Sequence, residues 1–489
     1  DFGVDVSHWF GFWQLDENGA ALKFFLAAML LSFTLAAHVG VSDVFFEGLA
    51  GPYPLYVTIR PPMVIPGVAE ISIRSAAKDV KGIRITPMAL TGAGAKYPPT
   101  PDQAVRSKED PQLFTGGLWI MRGGAWQVRA MVEGDRGAGV VSVPVPAMSQ
   151  RVTTMDSVTG WVLALLMVLL AAGVVGIAGA AMRESQLAPG VFPDVKRVRS
   201  GRIAMVVGLM VAGVVIWFGR GWWEDESQSY AKSIYKPLEL KASLAGATLS
   251  LEIESSQKRE LDDFVLDHGH LMHLYAVREP KLDAVYHLHP RRDGAGKFSL
   301  GLPAMPAGEY RLFADVVHKS GFPETLTAKV SLPRELPGPA ASTDDAGAVF
   351  VGPIEGVVFE RPEKVVANQA VTLRFRVQDK DGNPAANLRE YLGMAAHMAI
   401  VKKDFSVFSH IHPSGNISMA AYEMAQSNLL PLSSNVLVSS HAKEAGSAAV
   451  PAEFGFPFGF PSPGEYRLIL QFARQERVET ASFDITIQN

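Results

Sequence analysis

Met305-Pro306-Ala307-Gly308-Glu309-Tyr310-Arg311-Leu312 recurs as Pro461-Ser462-Pro463-Gly464-Glu465-Tyr466-Arg467-Leu468, and Gly124-Ala125-Trp126-Gln127-Val128 is a weaker third copy. In each copy a glycine leaves a turn and a large aromatic follows two residues later. Glycine permits a tight turn into a strand, and the aromatic on the next inward position fills the space between two sheets. One β-unit has been used three times. Around the copies, apolar residues alternate at period two, as in Ile71 and Ile73, Ile83 and Ile85, and Trp126, Val128, Ala130 and Val132. That period, among many Gly and Pro, predicts short antiparallel strands with one face on a core. Residues 44–150 and 236–489 share it, and the Pro-rich, acidic stretch 333–352 divides the second region.

The remaining segments are of another kind. Apolar residues make up 48% of the 489-residue chain against 19% charged, which is high for a protein without membrane segments. From Ser157 to Met182 there are 26 residues without a charge, about 39 Å of helix, enough to cross a bilayer with tilt. Residues 203–219 form a second uncharged run that ends in Trp217, Phe218, Trp222 and Trp223, the aromatic belt of an interface. Residues 24–42 form a third, interrupted only by His38, and read as an uncleaved anchor or as a signal sequence. Cleavage after Leu35-Ala36-Ala37 would leave His38 as a free amino terminus, a known way to grip copper. His8, Trp9, Phe10, Phe12 and Trp13 before it suit the cytoplasmic membrane surface.

The architecture expected is therefore mainly β: three immunoglobulin-like antiparallel β-sandwich modules plus three transmembrane α-helices. The divisions run 1–42 for the surface segment and first helix, 43–152 for the first sandwich, 153–220 for helices two and three with a basic loop at 183–202, 221–335 for the second sandwich, 336–352 for a linker, and 353–489 for the third, with an insertion at 416–460. No Asp, Glu, Lys or Arg interrupts the apolar runs, which disfavours transport. Ala172, Gly176 and Ala180 form a small-residue line that lets another helix of this or another chain approach. Having no cysteine, the chain holds no disulfide, iron–sulfur cluster, thiolate zinc site or covalently attached haem. Metal chemistry must use His, Met or carboxylates.

His38-Val39-Gly40, the Gly51-Pro52-Tyr53-Pro54 turn, Arg60-Pro61-Pro62 and the later His-x-His-Pro elements resemble a group of uncharacterised membrane-anchored bacterial proteins with periplasmic immunoglobulin-like domains, akin to FixH and CopC modules. The resemblance implies a place beside copper-containing or respiratory membrane complexes and identifies no reaction.

Ten of the twelve histidines lie after residue 221, and six form matching sets: His273 with His287 and His289, and His397 with His410 and His412. Each His-x-His precedes a proline, and each set spans a turn signal, Glu279-Pro280-Lys281 or Lys403-Asp404, so both read as β-hairpins. Centring the turns on Pro280 and between Lys403 and Asp404 places His273 opposite His287 and diagonal to His289, with the three on one face. Copper or zinc suits such imidazoles. Asp267, His268 and His270 are further candidate ligands for the first set, and Met394 and Met398 lie near the second, although alternation turns Met398 to the opposite face. Hydrogen bonding to backbone carbonyls or to one another is the alternative. His318 and His441 read as structural. No spacing marks a general base, a nucleophile triad, a P-loop or a dinucleotide fingerprint, so an enzyme is not expected.

Between His412 and Gly464 lie 51 residues, against 18 between His289 and Gly308. This insertion predicts a short helix between Ser418 and Leu430 and presents Phe454, Phe456, Phe458 and Phe460, which read either as cover for the module's own core or as a docking surface. Two functions follow: a membrane-anchored scaffold or accessory subunit of a respiratory or photosynthetic complex, or a periplasmic copper or zinc protein. The partners expected are other subunits of a membrane complex and the lipid bilayer, with no nucleic acid. Arg183, Lys196, Arg197, Arg199 and Arg202 place residues 183–202 in the cytoplasm by the positive-inside rule, with everything after Gly221 outside. Protease added to intact spheroplasts should cut the β-modules and spare that loop; protection of residues 236–489 would contradict the topology.

Overall fold

The computed structural model describes residues 43–152, 155–257, 259–338, 345–349, 352–429, 437–438, 450–475 and 477–489. His8, the expected span at 24–42 with His38, and His441 lie outside the described residues.

Each β-region folds into two sheets around one core. In the first module, Val44–Ala50, Tyr53–Arg60, Gly67–Ser75, Leu113–Ile120 and Val105–Arg106 face a sheet built from Asp102–Gln103, Val80–Ala89, Gly124–Gly134 and Gly137–Ala147. In the second, Glu239–Ala245, Thr248–Glu254, Lys297–Gly301 and Arg291–Gly294 face a sheet centred on Gly308–His318, His273–Glu279 and Ala284–Leu288. In the third, Val357–Glu360, Ala370–Val377 and Glu453–Gly459 face a sheet centred on Gly464–Arg474, His397–Lys402 and Phe408–Ile411. Ile71, Ile83 and Val143 fill the first core, Leu251, Leu274 and Leu312 the second, and Leu373, Ile400 and Leu468 the third.

The triplicated motif performs the same task each time. Gly124, Gly308 and Gly464 start their strands at φ 128°, 150° and 134°, backbone that a side chain would strain. The aromatic two residues on then reaches back four residues. Trp126 Nε1 donates to the Arg122 carbonyl at 2.9 Å, Tyr310 Oη to Pro306 at 2.9 Å and Tyr466 Oη to Ser462 at 2.8 Å. Each ring, buried for Tyr310 and Tyr466 and half-buried for Trp126, thereby satisfies its polar end while pinning the turn.

Among the described residues two helices, not three, are long and apolar enough to cross a membrane: α1, Ser157–Glu184, and α2, Val195–Ser233. Asp156 and Asp194 cap their amino termini by accepting from Thr159 N at 2.9 Å and Arg197 N at 2.8 Å. The helix expected at 203–219 is longer at both ends. Lys196, Arg197, Arg199 and Arg202 lie in its first two turns, and the proline-free stretch from Trp222 to Lys232 continues it past the apolar run, so the second module begins at Glu239 rather than at 221.

The small-residue line is corrected by one position. Ala172 and Gly176 are exposed and Ala180 is half-buried, whereas Val175, Ala178 and Gly179 meet Gly201, Met205 and Gly208 of α2. Close approach needs a glycine on both helices, and Gly179 opposite Gly201 provides it: a Cβ on Gly201 would lie 2.9 Å from the Gly179 carbonyl oxygen.

The insertion ties the third module to the first. Its helix α3, Met419–Ser427, is capped by Ser418 and inserts Tyr422 against Phe46, with ring centroids 5.5 Å apart, inside the first module's core. Asn416 accepts from Phe45 N at 2.8 Å and donates to the Asp43 carbonyl at 2.8 Å, while the Phe45 ring points the other way, into the third module beside Phe458. Gly415 permits the contact: it has φ 121°, and a Cβ there would run into the Phe45 carbonyl. Farther along, Leu437–Val438 joins Gly137–Ala147 as a parallel edge strand. Phe454, Phe456, Phe458 and Phe460 do not form a docking surface. The strand Glu453–Gly459 pairs with Ala370–Val377, and alternation sends all four rings inward, at 2% exposure for Phe454 and 0% for the others.

Where α2 gives way to the second module, a buried charge cluster fixes the chain. Glu324 accepts from Leu238 N at 2.7 Å, Arg259 at 2.7 Å and His318 at 3.0 Å, and His318 Nδ1 donates to Asp263 at 2.8 Å. Burial alone would raise the Glu324 pKa, but the His318 and Arg259 hydrogen bonds outweigh it and hold it down at about 2. His318 is raised despite burial by the same bond and that to Asp263. The Glu324 contribution is thus present above its ordinary 4.5 and lost as pH falls towards 2. The His318 contribution is full below 6.5 and lost as pH rises through the raised value. Glu324→Gln should cost about 3–5 kcal/mol of local stability at pH 6 and abolish hydrogen-exchange protection of the Leu238 amide; unchanged protection would show that the cluster does not hold this junction.

Candidate metal centre

The sheets that carry the Gly308 and Gly464 motifs are apolar on both faces. Leu274, Ala276 and Leu288 in the second module, and Met398, Ile400 and Ile411 in the third, point into their own cores. The alternate residues Tyr275, Val277, Val285 and Phe313 meet Ala399, Val401, Phe408 and Ile469 of the other module. The Phe313 and Phe408 rings stack at 4.2 Å and 6°. His273, His287 and His289 continue the first of these rows, and His397, His410 and His412 the second, so the six imidazoles are enclosed between two modules rather than displayed on an open face.

The hairpin register differs from the one expected. Tyr275 pairs with His287 and Ala399 with His410, moving each turn centre one residue towards the carboxy terminus, to Lys281 and to the Asp404–Phe405 junction. The cause is the turn: Leu282 and Phe405, at φ 51° and 60°, close loops bonded to the Arg278 and Lys402 carbonyls. His273 and His397 consequently lie across from His289 and His412 and diagonal to His287 and His410. A shift of one in the centre moves the partner by two residues, which preserves the face.

A second repeated element precedes each set. Asp267-His268-Gly269-His270 and Tyr391-Leu392-Gly393-Met394 form the same tight turn, with His268 and Leu392 at φ 49° and 51° and the glycines at 86° and 74°. Its carbonyls orient the first histidine of each set: Nε2 of His273 donates to Asp267 O, and Nε2 of His397 to Tyr391 O, both at 2.9 Å. Each Nδ1 is left as a bare lone pair. His289 Nδ1 donates to the Asp345 carboxylate at 2.9 Å, leaving its Nε2 bare as well. These bare atoms converge, with His273 Nδ1 3.0 Å from His287 Nε2 and 3.2 Å from His289 Nε2. Imidazoles fixed by an acceptor on the outer nitrogen are the usual supporting arrangement for a metal ligand.

The second group is assembled from both modules. His268 extends from its turn to His397 and His412, with Nε2 3.2 Å from His412 Nε2, and hydrogen-bonds to the backbone of Leu392, its own counterpart. His410 Nε2 lies 3.1 Å from His397 Nδ1, and its Nδ1 faces Asp315 at 3.4 Å. Two groups therefore have ligand atoms that all lie within 4.8 Å of one another and could hold a metal ion: His273, His287 and His289, and His268, His397 and His412. His410 belongs beside the second group, where His268 takes the third position assigned to it from the sequence.

Burial, reinforced by the neighbouring imidazoles, holds His273, His287, His397 and His412 well below the ordinary histidine value, and lowers His268 too. All are neutral at pH 7, the form that binds metal. Of the other candidates, His270 stacks on His289 at 3.8 Å, the Asp267 carboxylate accepts from Ala420 N of α3 at 2.7 Å, and Met398 is in its own core, as alternation requires. His318 belongs to the Glu324 cluster. A cavity of about 530 Å³ reaches His410 and His412 past Asp267 and Asp315, giving an ion an approach. The crossing of His268 was not visible in the sequence; the spacing Gly-x-x-x-His, shared by Gly269 and Gly393, was the available signal for the turn that carries it.

Residues 237–332 and 353–489 match the model of a family described as a domain of unknown function (DUF8832), which takes in both histidine hairpins. No curated protein matches the chain. Solved structures give loose likenesses: Salmonella alpha-2-macroglobulin reacted with methylamine at 10% identity and TM-score 0.20, covering 93% of this chain and 24% of that one, and an ICAM-5 D1–D4 ectodomain fragment at 9% and 0.16, covering 89% and 77%. Trypsin-activated alpha-2-macroglobulin from Escherichia coli is similar at 12% identity and TM-score 0.14, covering 89% and 26%. The chain thus spans about a quarter of the first of these, and superpositions this loose carry no functional argument.

The centre depends on the module contact. Phe408→Ala should cost about 3–5 kcal/mol by removing the ring stacked on Phe313, and should separate the two histidine groups, read as a rise in proteolysis of the Ala399 and Tyr275 strands. Resistance equal to wild type would show that the contact does not position the histidines.

Proposed function

We propose that the chain is a non-enzymatic, membrane-anchored metal-binding protein whose two carboxy-terminal modules hold copper or zinc between them on the outer, periplasmic face of a bacterial inner membrane. One observation carries this reading. His273 and His289 each commit one nitrogen as a donor to a fixed oxygen, and their remaining lone pairs face each other at 3.2 Å in a buried space. Two lone pairs at that distance repel unless a cation lies between them. Burial disfavours a proton on His273, and ion–nitrogen bonds of about 2.0–2.1 Å imply nitrogens about 3.3–3.5 Å apart, a few tenths of an ångström from the separations found. His397 repeats half of the arrangement, donating from Nε2 to the Tyr391 carbonyl with its Nδ1 3.1 Å from His410 Nε2.

The back-bonded aromatic corners of the three modules support reading them as immunoglobulin-like, and the basic residues flanking the α1–α2 turn support the outward placement. A role as accessory subunit of an energy-converting membrane complex is the second reading. Its support is the line Ala172 and Gly176, which α2 leaves uncovered for another helix; the four phenylalanines no longer contribute to it.

Loaded with cuprous copper in mild detergent, the protein should carry metal, and replacing His287 and His289 together by Ala should remove one copper ion per chain by elemental analysis. Unchanged metal content would overturn the metal reading, and stable co-purification with other subunits through that loss would favour the second.

A further inference from the structure

The two histidine groups are close neighbours. Between the two groups, ring centroids lie 5.9 Å apart for His268 and His273 and 6.1 Å for His287 and His397, and His410 lies 5.4 Å from His287 and 5.6 Å from His273. Ions held in both groups would be about 6 Å apart, in space enclosed by Tyr275, Tyr391 and the stacked Phe313 and Phe408. Both groups consist of imidazoles alone, and an imidazole that binds a metal brings no charge to offset it. The nearest negative groups are three carboxylates: Asp345 on His289, Asp315 beside His410, and Asp267, whose charge acts on His268. Asp267 is turned to the Ala420 amide.

Charge arithmetic then separates the ions. At an effective dielectric of about 20, one monovalent ion weakens binding of a second 6 Å away by about 100-fold, and one divalent ion weakens another by about 10⁸-fold. The three convergent nitrogens of the first group suit a low-coordinate monovalent ion as well.

Resting on the metal-binding reading above, we propose that the two groups form one centre that holds a pair of cuprous ions, with the second ion bound by His268 across the module boundary, and that it accepts only one divalent ion at a time. The centre is thereby selective by charge, a discrimination that neither hairpin alone makes. Its second position also joins the modules, because His268 comes from one and His397 and His412 from the other.

The test uses the full chain in detergent, titrated anaerobically with buffered Cu(I) and separately with Zn(II). Two Cu(I) per chain and one Zn(II) per chain are expected, the second copper about 100-fold weaker than the first. His268→Leu places at this turn the residue that the equivalent turn already carries at Leu392, so the fold tolerates it; it should reduce Cu(I) from two to one, leaving Zn(II) at one. Two Zn(II) bound within tenfold of each other would show an anion-bridged divalent pair and overturn the proposal while leaving the metal-binding reading intact. One Cu(I) in the unaltered chain, or two in the His268→Leu protein, would do the same. A chain that takes up neither ion overturns both.

Discussion

Everything distinctive about this protein depends on two β-sheets that are buried on both faces. A sheet with one wet face alternates apolar and polar residues, but Tyr275, Val277 and Phe313 on one side, and Ala399, Val401 and Phe408 on the other, are as buried as the residues between them. The second and third modules therefore cannot expose these sheets separately without leaving a large apolar surface in water, roughly 1.5–3 kcal/mol for each large side chain. The apolar contact holds the sheets together, and the histidines at its edge are enclosed as a consequence. Their low basicity, their fixed tautomers and the crossing of His268 all follow from that enclosure.

The same economy of interlocking extends to the first module. Phe45 and Phe46 are adjacent, yet one ring belongs to the third module's core and the other to the first module's, because successive side chains of a strand point to opposite faces. Asn416 and Gly415 occupy the gap between them, and α3 extends from there both to the first core, through Tyr422, and to Asp267 of the second module, through the Ala420 amide. The insertion thus contacts all three modules of its own chain.

Much of this was legible in the residues. Period-two alternation and the triplicated glycine–aromatic motif located the modules, and the duplicated histidine spacing located both hairpins with the correct face. The misses have specific causes. The register was offset because the positive-φ residues Leu282 and Phe405 sit in turns whose sequence carries no Gly or Asn at those positions to signal them. The phenylalanine run was ambiguous because alternating aromatics look alike on an inward-facing strand and on an exposed loop, and only the pairing with Ala370–Val377 decides between them. The small-residue line does not face α2, because that contact is set by Gly201 and Met205 on the opposite helix. His268 was named as a ligand for the first set, but its crossing to the second was beyond reach: those ligand partners belong to another module, and no local pattern encodes a contact that two separate folds create between them.

The central claim is that the enclosed imidazoles are arranged around cations rather than merely packed. It is tested most directly by growing crystals of the copper-loaded protein and collecting anomalous diffraction at the copper edge. The account predicts two peaks between the carboxy-terminal modules, one within bonding distance of His273, His287 and His289 and the other of His397, His412 and His268. Copper found only at surface residues, or a refined centre in which the histidines hydrogen-bond one another with no peak among them, would contradict it.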